Sequence, residues 1–293
     1  MPQNHRKING NSLSDYLIQW LKDWFAKNGR DTAVIGISGG KDSAIVAALC
    51  AKAIGAGNVL GVMMPNGIQD DIEDSYKVCE KLGIKGIEVP IGNPLFKANN
   101  APYHIVSDEY PYGSLIECID ESFSSLGDND PLKALRVSAA AKINIAPRLR
   151  MTVLYAIAQS LSQAGRHACV VGTGNLGEAS VGYTTKWGDS ACDVNPIRNL
   201  WVDEVLAVGD ALGYFPEIIH KVPSDGLCGE SDETRLGFSY ADVKQVMDAN
   251  ISGSESVSDA TREKIISAYR RSSHKRDAIP TPERKAVVSA IKK

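Results

Sequence analysis

No run of this sequence reaches the ~18 apolar residues that a membrane-spanning helix needs, and the polar start Met1-Pro2-Gln3-Asn4-His5-Arg6-Lys7 lacks the apolar core of a signal peptide. A soluble, cytoplasmic protein is therefore expected. The six cysteines, Cys50, Cys79, Cys118, Cys169, Cys192 and Cys228, form no C-x-x-C pair and no metal-ligand spacing. That argues against a zinc site and for reduced, mostly core thiols. A formal charge of −3 leaves no cationic surplus for bulk nucleic-acid binding. There is no internal repeat and no composition break, so the 293 residues read as one α/β domain, with 1–12 a loose tail.

What is present centres on Ser38-Gly39-Gly40-Lys41-Asp42-Ser43. The preceding Thr32-Ala33-Val34-Ile35-Gly36-Ile37 is short and β-branched, a strand buried on both faces. The Ala-rich stretch 44–54 that follows predicts a helix ending at Gly55. Strand, glycine turn and helix make an anion site, because unpaired first-turn amides and the helix dipole both face the turn. The Walker template fails here, since Gly40-Lys41 is followed by Asp42 rather than by serine or threonine.

Taken in order, apolar residues Tyr16, Leu17, Trp20, Leu21, Trp24 and Phe25 predict a helix over 14–27. A second strand over 58–64, reached by a helical crossover, should pair in parallel with the first. The acidic residues Asp70, Asp71, Glu73 and Asp74 read as a solvated helix start, with a metal role as the alternative. A helix over 76–82 and a strand over 86–90 follow. Residues 92–131 show no sustained period, as in a lid, a binding loop or an oligomer contact. Helices are expected over 132–145, 151–163, 202–212, 216–220, 240–247 and 259–271, and a fourth strand over 168–171.

That fourth strand enters Gly172-Thr173-Gly174-Asn175-Leu176-Gly177, formally G-x-G-x-x-G. A dinucleotide fingerprint should open a long helix. The stretch that follows, with Gly182, Gly188 and several β-branched residues, predicts none, so an oxidoreductase reading is disfavoured.

The loop at 38–43 resembles the S-G-G-x-D-S loop of the ATP pyrophosphatases, which split ATP into AMP and pyrophosphate while adenylating a substrate. Across most of its length the chain further resembles the ammonia-dependent NAD synthetases. The residues that carry this are 36–43; Pro65-Asn66-Gly67 with Gln69; Asn144 with Arg148-Leu149-Arg150-Met151; Gly172-Thr173-Gly174-Asn175 with Glu178; Thr185-Lys186-Trp187-Gly188-Asp189; Asp193 with Pro196; Pro223-Ser224; Asp232-Glu233 with Leu236-Gly237 and Tyr240; and His274-Lys275-Arg276.

The resemblance implies a Rossmann-like open parallel sheet of about five strands with helices on both faces. It implies that ATP adenylates the nicotinate carboxylate of deamido-NAD, and that ammonia then displaces AMP to give NAD. Gly36, Ile37, Ser38, Gly39, Gly40, Lys41, Asp42, Ser43, Thr173 and Ser224 would bind ATP. Asp42 and Glu178 would share Mg²⁺. Arg148, Lys186, Asp193, His274 and Lys275 would bind deamido-NAD, and Asp189 would handle the ammonium. A homodimer is implied, and 293 residues leave no room for an amidase domain. Where the family usually has a lysine that contacts ATP phosphate, this chain has Val202, and Arg198 or Lys41 would supply the charge. Met63 replaces an arginine often found on the second strand. Two rivals remain open: a tRNA-modifying pyrophosphatase, which would need paired cysteines or an RNA-binding extension, and a nucleotide-binding regulator without catalysis.

Overall fold

A computed structural model describes residues 8–67, 69, 72–92, 111–221, 232–248 and 257–284. The elements run α1 (Gly10–Lys27), β1 (Thr32–Gly36), α2 (Lys41–Ile54), β2 (Val59–Met63), α3 (Ile72–Leu82), β3 (Lys85–Glu88), α4 (Pro111–Ser124), α5 (Ala139–Gln163), β4 (Ala168–Val170), α6 (Leu176–Val181), α7 (Val202–Leu212), α8 (Pro216–Ile219), α9 (Asp232–Leu236), α10 (Tyr240–Met247) and α11 (Asp259–Arg271).

The strands form one parallel sheet in the order β3-β2-β1-β4. Val34 stands opposite Leu60 on one side and Val170 on the other, and Val62 opposite Ile87. The described residues hold four strands, where about five were expected. Beside β4, the position of a further strand is taken by a single parallel bridge, Val171 to Val194.

Helices cover both faces, as expected of β-branched strands buried on both sides. On one face Leu21, Phe25, Ile45, Leu49, Val205 and Val208 pack with Ile35. On the other, Ala146 and Ala158 of α5 close over Val34, Val62 and Val170. A third cluster, Val181, Trp201, Phe238, Val243 and Ile265, joins α6 to α10 and α11. That cluster ties the C-terminal helices to the end of the sheet where the glycine loops lie.

Some boundaries differ from expectation. Asn9 caps α1 by accepting from the Ser12 amide at 3.1 Å, so the helix begins at Gly10 and the expected tail is shorter. Gly10 is also needed for packing, since a Cβ there would fall 2.1 Å from the Ala207 carbonyl oxygen on α7. The two helices expected over 132–145 and 151–163 are one, and 132–138 lies outside it. Ser138 caps α5 by accepting from the Ala141 amide at 3.1 Å. Pro147 sits inside the helix and removes one backbone bond, while packing on β1 and β4 holds the helix together. In the stretch without period, residues 111–124 form α4, and 93–110 lie outside the described residues. Asp70 and Asp71 lie outside them too, whereas Glu73 and Asp74 open α3 and Asp74 pairs with Lys221 and Lys77 at 2.7 and 3.0 Å. Among the described residues no helix is long and apolar enough to cross a membrane.

Candidate active site

The carboxyl ends of β1 and β4 are adjacent, so the two glycine loops that follow them face a common cleft. On the β1 side, Gly39 takes φ +81°, which only glycine adopts without strain. Gly40 caps α2 without a side-chain hydrogen bond, which leaves first-turn amides for a ligand. The hydroxyls of the loop shape it. Ser43 Oγ donates to the Gly40 carbonyl at 3.0 Å and accepts from the Ser38 amide at 3.3 Å, while Ser38 Oγ accepts from the Gly40 amide at 3.3 Å. Gln69 Nε2 donates to the Ser38 carbonyl at 3.1 Å and Ser75 Oγ to the Ile37 carbonyl at 3.3 Å. Gly36 ends β1, where a Cβ would meet Met64 at 3.3 Å. Gly36 and Ile37 thus support the loop from behind.

The cleft has a cavity volume of ≈ 190 Å³ and is lined by Ser38, Gly40, Asp42, Ser43, Thr173, Gly174, Glu178 and Asp189. Asp42 Oδ2 accepts from Lys41 Nζ at 2.9 Å, while its Oδ1 is buried and accepts no hydrogen bond. Glu178 is fixed by a capping box: its Oε2 accepts from the Asn175 amide at 2.9 Å, and its own amide donates to Asn175 Oδ1 at 3.1 Å. Burial, reinforced by the charge of Asp42, pushes the Glu178 carboxyl up to about 8. Burial pulls the Lys41 ammonium down, but Asp42, Glu178 and Asp232 together outweigh it and hold it above its usual range. Asp189 accepts from Thr184 Oγ1 and from the Thr185 amide, both at 2.7 Å, which closes the turn that carries it.

Two carboxylates crowded at one cleft, one with an oxygen that has no donor, suit a hard divalent cation. Among the described residues no group of three His, Cys, Asp or Glu side chains forms a ready cage. Mg²⁺ is commonly held by one or two carboxylates together with substrate phosphates, and Asp42 and Glu178 are two such carboxylates in one cleft.

The remaining predicted residues divide. Lys275 Nζ donates to the carbonyls of Gly182 and Thr184 at 2.7 and 2.6 Å, and burial pulls its ammonium below the usual range. Arg148 Nε donates to the Lys186 carbonyl at 3.3 Å. Lys186 Nζ lies 5.3 Å from the ring centre of Trp187, a half-exposed residue held at φ +61°. These three cations therefore gather around the turn that bears Asp189. His274 is exposed in the 3₁₀ turn Ser273–Lys275. Asp193 does not line the cleft; its carboxylate accepts from the Val170 amide at 2.8 Å and from the Tyr155 hydroxyl at 3.3 Å, on the side of β4 away from β1. Ser224 lies outside the described residues.

Two arginines have no role in the sequence reading. Arg150 Nε donates to the Met64 carbonyl at 3.0 Å and feels the charge of Asp189. Arg276 donates to the carbonyls of Ala179, Ser180 and Tyr269 and to Ser272 Oγ, so it caps the end of α6. Both stand in stretches that carry the resemblance, but their partners Met64, Ala179 and Ser180 are distant in sequence and leave no local signal.

A family model described as NAD synthase matches residues 13–279. The NH(3)-dependent NAD(+) synthetase of Thermococcus kodakarensis is 36% identical over 83% of this chain and 82% of its own. The protein of the same name from Pyrococcus furiosus is 33% identical over 92% of this chain and 94% of its own. The structure of NMN synthetase from Francisella tularensis superposes with a TM-score of 0.73 at 30% identity, covering 94% of this chain and 98% of that one. Matched over nearly its whole length, this chain belongs to the NAD synthase family.

Proposed function

We propose that this protein is a carbon-nitrogen ligase that amidates the nicotinate carboxylate of deamido-NAD to give NAD, using ATP and ammonia. The observation that carries this is the placement of Asp42 and Glu178 in one cleft with the uncapped start of α2. A carboxylate is a poor electrophile, so one of its oxygens must first become a leaving group. It attacks the α-phosphorus of ATP, the α,β-bridging bond breaks, and pyrophosphate departs. Ammonia then adds to the acyl carbon, AMP leaves with the former carboxylate oxygen, and a proton is lost from nitrogen.

Ser38, Gly39, Gly40 and Ser43 hold the phosphates through backbone amides and hydroxyls, and Thr173 faces them from the β4 side. Asp42 and Glu178 would hold Mg²⁺, which offsets phosphate charge as pyrophosphate departs. Asp189 keeps free lone pairs beside its bonds to Thr184 and Thr185, with which it can orient ammonium and accept its proton. Lys186 and Arg148 supply cationic donors for the acceptor and His274 an imidazole beside them, while Lys275 holds the turn that shapes their surroundings. The active unit is a homodimer, a reading supported by exposed Leu115, Leu132, Leu135 and Ile143 on α4, α5 and the segment between them. The buried, unpaired thiols of Cys50, Cys79 and Cys169 suit a reducing compartment, and we place the reaction in the cytoplasm.

A second acceptor is favoured by the Francisella tularensis relationship: nicotinate mononucleotide, whose amide is NMN. The two are separated by kcat/KM for each acid with saturating ATP, Mg²⁺ and ammonium. A higher value for deamido-NAD supports the first reading, and a higher value for the mononucleotide replaces it.

A further inference from the structure

Among the described residues, Arg198 is the cleft-side cation whose surroundings do not account for it. Its backbone is rigidly held. Ile197 is fully buried, its amide donates to Asn195 Oδ1 at 3.0 Å, and the Leu200 amide donates to the Ile197 carbonyl at 3.0 Å. The same segment is fastened to the β4 glycine loop, by Asn195 Nδ2 to the Gly174 carbonyl at 2.9 Å and by the Leu176 amide to the Leu200 carbonyl at 2.9 Å. The side chain reaches the neighbourhood of Gly174, which lines the cleft. A Cβ built on Gly174 would lie 3.8 Å from Arg198 Nη1 and 3.6 Å from Glu178 Oε2. Gly174 thus has both a guanidinium nitrogen and a Glu178 carboxylate oxygen at contact distance from its Cβ position.

Among the described residues Arg198 makes no hydrogen bond or ion pair, although it is half-buried. Its charge is felt at Cys192, where it opposes the effect of burial on the thiol. A partly buried cation without a partner is costly unless a ligand brings the counter-charge. Lys41, on the β1 side, is already committed to Asp42. A guanidinium offers two parallel donors that match two oxygens of one phosphate.

We propose that Arg198 is a phosphate-binding residue, with the departing pyrophosphate of ATP as its ligand, gripping from the β4 side while the start of α2 grips from the β1 side. The proposal rests on the ATP-cleaving reading above. Its consequence is that Arg198, not Lys41, supplies the cation for which position 202, a valine, has none.

The test is binding of α,β-methylene-ATP with Mg²⁺, measured by calorimetry on the full chain, for the wild type, Arg198→Met and Arg198→Lys. Because Arg198 bonds to nothing in the described protein, each variant should melt at or above the wild-type temperature. We expect Arg198→Met to weaken the analogue about tenfold or more, Arg198→Lys to recover part of the loss, and acceptor binding to change less than about threefold. Unchanged analogue affinity in Arg198→Met overturns the proposal, as does a loss confined to the acceptor or shared equally by both. NAD formation is read separately, so a wild type that binds the analogue but makes no NAD refutes the functional reading and leaves Arg198 to be decided by binding.

Discussion

Lys41 Nζ and Asp42 Oδ2 are paired at 2.9 Å within the glycine loop, while the other carboxylate oxygen of Asp42 is buried without a donor. The neighbouring ammonium occupies one carboxylate oxygen and leaves the other without a donor, where a second cation can bind. Replacing Asp42 by asparagine keeps the shape and removes the charge. We predict that Asp42→Asn lowers kcat/KM for ATP on the order of 10²-fold and raises the Mg²⁺ concentration needed for half-maximal rate. Titrating Mg²⁺ at fixed ATP checks this, and an unchanged Mg²⁺ dependence would remove Asp42 from the metal site.

Glu178 gives a pH-dependent prediction. Its carboxyl is pushed up to about 8 in the fold, against roughly 4.3 in the unfolded chain. Between those values the folded state holds the extra proton, so stability falls as pH rises through that window. The amide introduced by Glu178→Gln cannot ionise. This variant should therefore melt near the wild type at about pH 5 and several degrees above it at about pH 8, while losing most NAD formation. A melting difference that does not change with pH would contradict the assignment.

Sequence legibility varied with the range of the interactions. The helices over 202–212, 240–247 and 259–271 lie where expected, because Ser239 and Ser258 cap two of them and Gly213 closes the first in the left-handed conformation. The merger of two expected helices into α5 depends on packing against β1 and β4, which overrides the local effect of Pro147. The loop 38–43 is legible because its spacing is itself the chemistry. Glu178 comes into the site only through the pairing of β4 with β1, which sets Ala168 beside Thr32 across a long stretch of chain, so its role follows from resemblance rather than from its neighbours. The same holds for Lys275 and Asp193, whose backbone acceptors and donors are remote in sequence.

Lys275 tests whether a cation near the C-terminal end acts on the acceptor or on the turn. It donates to the carbonyls of Gly182 and Thr184, and hydrogen bonds from a charged group contribute about 1.5–3 kcal/mol each. Lys275→Met should lower the melting temperature and reduce kcat through a displaced Asp189. A variant with wild-type melting temperature and a raised acceptor KM alone would make Lys275 a substrate contact instead.

Arg276 provides a control at the far side of α6. Its guanidinium satisfies the Ala179 and Ser180 carbonyls and lies 4.1 Å from the ring centre of Tyr269. Arg276→Ala should destabilise the fold by about 2 kcal/mol or more, measured by urea unfolding, and Arg276→Lys should restore only part, because one ammonium cannot reach all the acceptors.

The most direct measurement is the fate of the ATP phosphates, followed by phosphorus NMR with Mg²⁺ and ammonium, with and without deamido-NAD. AMP and pyrophosphate are expected in equal amounts, matched one for one by NAD, and only when deamido-NAD is present. ADP with orthophosphate, or AMP released without NAD, would contradict that expectation.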